Sequence, residues 1–268
     1  MDTFIPILIA LLTWWSSTGI LIWVVGQGGA TKVTAATTLT LGMIGATLAV
    51  VLLRDTTSPI YAYAGFAVGL TVWAWHEAML LLGYISGPNR RACPPHLLGW
   101  ARFKASAGAI FYHELGIAAH GGLIIFMSIG AENQVAAATY VLLWGMRLSA
   151  KLLIFLGAQN ASDRFLPQHL KYLSTYFHTA RNSPYFPVFL LATSLVAMAL
   201  LFLGASELPG SFDGAWYLLL GTLALLAAFE HLALVMPLNE DRLWSWAVKK
   251  TVAPGDNDPN DELDLKRT

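Results

Sequence analysis

Charge is scarce in this chain of 268 residues: Asp, Glu, Lys and Arg together make up 12%, and the formal net charge is zero. No run of basic residues is dense enough to track a phosphate backbone, which excludes nucleic acid as a partner. No glycine-rich phosphate loop occurs either, and the polar segments are too short to fold one, which excludes a nucleotide site. Cysteine is nearly absent. The single Cys93 cannot close an intramolecular disulfide and falls in a polar loop, where it reads as a structural thiol. The amino end, Met1-Asp2-Thr3-Phe4, lacks a basic n-region, and no small-x-small cleavage site follows the first apolar run, so that run is expected to stay as an anchor.

What the chain has instead is apolar length. Hydrophobic residues make up 56% of it and the mean hydropathy is +0.57, the signature of a polytopic membrane protein. Seven stretches reach the roughly 20 residues that a helix needs to cross a bilayer. They lie near 4–26, 33–53, 59–84, 105–129, 135–157, 185–205 and 214–237, each ended by Gly, Pro or charge. Two amphipathic interfacial helices are expected on the cytoplasmic side. One covers 88–104, where Leu97, Leu98, Trp100 and Phe103 alternate with Arg90, Arg91, Arg102 and Lys104. In the other, Leu166, Leu170, Leu173 and Phe177 recur at helical spacing. The expected organisation is an all-α bundle of seven transmembrane helices over 1–238, followed by a tail over 239–268. The tail starts amphipathic and ends in a Pro-, Asp- and Asn-rich stretch with too few apolar residues to fold.

Seven spans place loops one, three and five and the carboxyl tail on one face. That face holds thirteen of the 16 Lys and Arg residues, against Arg54 alone on the other. The bias predicts an outer amino terminus and a cytoplasmic tail. Trp100, Trp244 and Trp246 then belong to the cytoplasmic aromatic belt, while His96, His169 and His178 read as surface histidines.

Inside the spans lie His76-Glu77, His113-Glu114 with His120 two turns further on, and Glu230-His231. Ionisable groups in hydrocarbon are costly, so this set is the functional lead. At about 1.5 Å of rise per residue, all three pairs fall roughly 10 to 12 Å below the cytoplasmic surface. Arg147 and Lys151, one turn apart on the fifth span, reach the same level. Several chemistries suit such a layer. Glu77, Glu114 and Glu230 with Arg147 and Lys151 make an ion-pair network that fastens helices together. The same histidines and carboxylates are ligands for iron, zinc or manganese, although neither the zinc-protease nor the Glu-x-x-His spacing occurs. A single axial histidine could hold a tetrapyrrole, and a proton or ion path is a fourth use. In the metal reading, His76, His113 and His231 share one ligand sphere. Small residues, among them Gly65 and Gly69 in the third span and Gly116, Gly121 and Gly122 in the fourth, let helices approach closely.

The run Trp144-Gly-Met-Arg-Leu-Ser-Ala-Lys151, continuing through Phe155-Leu-Gly157 to Phe165-Leu-Pro-Gln-His-Leu-Lys-Tyr-Leu173, resembles the PuhE family, photosynthetic complex assembly proteins of purple phototrophic bacteria. His113-Glu-Leu115, Asn133-Gln-Val135 and Phe229-Glu-His231 through Pro237-Leu238 are similar too, and the likeness extends to about residue 250. The resemblance implies a multi-pass protein of the inner (intracytoplasmic) membrane, contacting lipid and subunits of the reaction centre or core antenna during their assembly, with an influence on bacteriochlorophyll supply. It carries over no catalytic residues. The alternative is a metal-dependent, oxidoreductase-like enzyme acting on a lipid-soluble pigment precursor or quinone, with Glu77, Glu114 or Glu230 as proton carrier.

Overall fold

The computed structural model describes residues 3–27, 29–161, 163, 166–236, 244, 246 and 247. Among the described residues, seven helices are long and apolar enough to cross a membrane: α1 (Phe4–Val25), α2 (Gly29–Leu53), α3 (Pro59–Leu81), α4 (Gly99–Met127), α5 (Val135–Leu156), α6 (Phe186–Ser206) and α7 (Phe212–Ala233). Their starts follow local chemistry. Pro59 occupies the first turn of α3 behind an extended Ser58, and the Ser211 hydroxyl accepts from Gly214 N at 3.0 Å to cap α7.

The bundle is built around α3 and α7, which bury the most of their length, while α1, α2 and α6 face mostly outward. Missing side chains set the closest approaches. A Cβ at Gly69 would press on the Ala136 carbonyl and Thr139 of α5. Gly204 of α6 receives Leu218 of α7, and Gly221 of α7 receives Leu201 of α6. At the far end from the basic loops, Asn133 ties three segments together. Its backbone N–H donates to Arg54 O at 2.8 Å, and its side-chain amide donates to the Thr56 and Tyr61 carbonyls at 3.1 and 3.3 Å.

The two expected interfacial helices take other forms. Residues 88–98 are irregular, and Gly99, at φ +52°, opens α4 six residues before the expected span start. The second segment is a 3-10 helix over Gln168–Tyr176. It packs on protein, burying Leu170 and Tyr176, because its neighbours bind its backbone and side chains directly. The Tyr176 hydroxyl accepts from Asn89 Nδ2 at 2.9 Å and donates to Arg91 O at 3.1 Å. The Arg102 guanidinium donates to the carbonyls of Tyr176 and Phe155 and lies 4.4 Å over the Phe155 ring. Cys93, a free thiol, donates its backbone N–H to Thr175 Oγ1 at 2.8 Å. These contacts close the basic end of the bundle with a cap.

The 239–268 tail lies outside the described residues except for Trp244, Trp246 and Ala247. Both tryptophans pack on α1. Trp244 stacks edge-on against Trp14 at 5.4 Å and donates to Trp15 O at 3.2 Å, and Trp246 meets Trp15 at 5.7 Å over the bare Gly19. The ring fits there because Gly19 has no side chain to meet it.

Candidate functional site

The polar residues of the third, fourth, fifth and seventh spans meet in one layer, and within it they separate into groups. The charged group joins α3, α4 and α5. Lys151 donates to Glu114 Oε1 at 2.6 Å and stands 3.9 Å from Glu77 Oε1. The Arg147 guanidinium reaches Glu77 Oε2 at 3.3 Å. His113 Nε2 lies 3.3 Å from Lys151 Nζ, 3.5 Å from Glu77 Oε1 and 4.0 Å from Glu114 Oε1. His113 is fully buried, whereas the Arg147 side chain is 44% exposed and so forms the outer edge of the group. Two carboxylates thus face two fixed cations, which is the pairing that makes charge tolerable at this depth.

Residues 86–89, just beyond α3, hold His113 in register. Ser86 O accepts from His113 N at 2.9 Å, and Asn89 N donates to Gly108 O at 3.2 Å. Gly87 lies so close to the backbone of Gly108 and Ala109 that no side chain fits. Irregular backbone at this level is tolerated because α4 satisfies it.

The second group contains no carboxylate, lysine or arginine and joins α2, α3 and α4. His76 Nε2 meets His120 Nδ1 at 3.2 Å, and His120 Nε2 meets Thr47 Oγ1 at 2.9 Å. Thr47 Oγ1 also lies 2.8 Å from Met43 O. A carbonyl only accepts, so the arrangement with the most hydrogen bonds has Thr47 donating to Met43 O, His120 Nε2–H donating to Thr47, and His76 Nε2–H donating to His120 Nδ1. The reverse direction makes one bond fewer, a difference of about 0.5–1.5 kcal/mol. Trp75 stands edge-on to His76 with centroids 4.8 Å apart and donates its indole N–H to Thr40 Oγ1 at 2.9 Å. Tyr140, which donates to Ile117 O at 3.0 Å, closes the other side with its ring 6.0 Å from His76.

Glu230 and His231 diverge, as adjacent helical residues must. Glu230 is exposed on the bundle surface and accepts from Trp14 Nε1 at 3.2 Å. His231 is buried against α5, with Nδ1 2.6 Å from Ala227 O and Nε2 2.7 Å from Ser149 Oγ. His76, His113 and His231 therefore take three different sets of partners in place of one ligand sphere. Among the described residues no three His, Cys, Asp or Glu side chains gather as a metal set. All four intramembrane histidines have Nε2 engaged by a neighbour, so this arrangement does not fit an axial tetrapyrrole ligand bound through that atom.

Among the partners that the sequence reading missed are Thr47, Ser149, Trp14 and Ser86. Thr47 had a signal. It lies seven residues from Thr40, hence on the same face of α2, and both hydroxyls meet polar groups of neighbouring helices. Ser149 sits between Arg147 and Lys151. Trp14 and the Ser86 carbonyl carried no pattern that pointed inward.

No solved structure matches this chain. An uncharacterized 30.4 kDa protein in the puhA 5' region of Rhodobacter capsulatus is 32% identical over 259 residues, covering 94% of each chain. A family model described as a protein of unknown function, DUF3623, matches residues 1–254. By that match over nearly its whole length, the chain belongs to the DUF3623 family.

Proposed function

We propose that this chain is a PuhE-like membrane assembly factor for the photosynthetic reaction centre and its core antenna, in which the polar layer is a clasp that fixes the helices. The observation that carries the clasp is the engagement of the layer by its own members: Glu77, Glu114, Arg147, Lys151 and His113 bind one another, and His76, His120 and His231 each face a neighbour through Nε2. A layer consumed in this way orients helices and leaves the outward faces of α1, α2 and α6 for lipid and partner subunits. The photosynthetic assignment is supported by the relative named for the puhA 5' region and by the resemblance carried by the Trp144–Lys151 run. In this reading the amino terminus is outside, the tail is cytoplasmic, and the membrane is the bacterial inner membrane.

The test is to purify the tagged chain in mild detergent from a phototrophic host, then record its absorption spectrum, metal content and co-purifying proteins. Reaction-centre or core-antenna subunits with a colourless, metal-free chain are the expected result. Near-stoichiometric iron, zinc or manganese without such subunits would overturn the reading in favour of the metal-dependent enzyme. Bacteriochlorophyll that stays on the chain after the subunits are stripped from it would replace the clasp with pigment handling while keeping the assembly role.

A further inference from the structure

The hydrogen-bond direction along Thr47, His120 and His76 leaves one atom over. With His76 Nε2–H committed to His120, the Nδ1 of the same ring carries a bare lone pair, and no described residue donates to it. His76 as a whole is 3% exposed, so the narrow access left to Nδ1 admits a single small group and not bulk solvent. A separate observation comes from α4. His113 is fully buried, its Nε2 side is occupied by Lys151 and the carboxylates, and its Nδ1 has no partner. Gly116, one turn from His113 on α4, stands beside His76. A Cβ built there would lie 3.8 Å from both His76 Nδ1 and Cε1, so the missing side chain keeps the approach to the lone pair clear. Unpartnered polar atoms on neighbouring helices, with space held open by a glycine, mark a site for a small polar group.

We propose that the α3–α4 seam beside Gly116 binds a hydroxyl group, with His76 Nδ1 as the acceptor that holds it. A hydroxyl suits this place because it donates to His76 while its oxygen remains free to accept, so it can also serve an N–H at His113 Nδ1. A cation needs several lone pairs converging, which the described side chains do not supply here. The hydroxyl belongs to water entering past the partly exposed Glu114 and Lys151, or to the alcohol of a membrane-borne amphiphile.

Solid-state NMR of the full chain, labelled with 15N-histidine and reconstituted in liposomes, tests the site. The expected result is an unprotonated His76 Nδ1 shifted upfield from a bare lone-pair nitrogen, with magnetisation arriving from an exchangeable proton. Transfer from the water resonance identifies water as the source, and transfer from a long-chain alcohol added to the vesicles identifies the amphiphile. Gly116→Ala, whose methyl makes only van der Waals contact, should return Nδ1 to the bare position and leave the His120 signals in place. His76→Gln assigns the resonance. Should that variant fail to fold, selective 13C–15N transfer within the wild-type ring makes the assignment instead. A protonated Nδ1, or a bare one already in the wild type, would overturn the proposal.

Discussion

The two parts of the polar layer hold helices together by different means. On the α3–α4–α5 side, Glu77 answers Arg147, Lys151 and His113 at once, so each group depends on charges supplied by others. On the α2–α3–α4 side, Thr47, His120 and His76 pass neutral hydrogen bonds along a line. Removing one member of a charged cluster strands the remaining charges in low dielectric, whereas removing one link of a neutral chain strands a single donor. The charged side is therefore the stronger constraint on helix arrangement and the more vulnerable to mutation.

Three measurements sharpen that contrast. The largest effect is expected from Glu77→Ala, which leaves Lys151 with Glu114 and takes from Arg147 its directly paired carboxylate, with Glu230 and Glu114 acting only from further off. A loss of about 3–5 kcal/mol should appear as a steep fall in the unfolding midpoint in detergent, and a change under 1 kcal/mol would mean that the cluster is not a clasp. Thr47→Val preserves shape but deprives His120 Nε2–H of its acceptor. It should cost about 1–3 kcal/mol and leave the α3–α5 contact intact, as read by cross-linking between cysteines introduced on those helices.

The smallest effect lies outside the membrane, in the cap. Burial, with help from the charges of Lys32 and Arg90, holds His169 below its ordinary value of 6.5, against a backbone hydrogen bond to Leu81 that pulls the other way. The unfolded chain therefore takes up this proton first as pH falls, so the contribution of His169 to stability is full above 6.5 and is lost as pH drops below it. Protease nicking of 157–185 should rise on acidification through that range. A His169→Asn variant should show a flatter profile, and an identical profile would remove His169 as the cause.

Much of the fold was legible because membrane length and loop charge are written in composition. All seven spans were located, and the greatest disagreement is the early start of α4, where basic residues between apolar ones looked like a surface helix. That these polar groups share one level along the bundle was legible for the same reason, since rise per residue is fixed. Azimuth was not. Period 3.6 tells which residues share a face, but the neighbour across that face is set by where glycines permit contact, as at Gly69 and Gly204. His120 illustrates the gap: placed two turns beyond His113 on the same helix face, it finds His76 on the next helix. The cap and the docking of Trp244 on α1 rest on contacts between segments distant in sequence, which no local pattern encodes.

The indole of Trp14 bonds a carboxylate 216 residues later in the chain, and Trp244 then covers that indole from the tail. At roughly 5–20 residues per second of synthesis, α1 waits about 10–40 s between its own emergence and that of its partner on α7. During this interval α1 can rest on α2 and α3 through Leu21, Val24 and Ala10, while the Trp14 indole lacks its acceptor within the chain. The polar bond and the ring contact at Trp14 are consequently late additions to a helix already packed on α2 and α3.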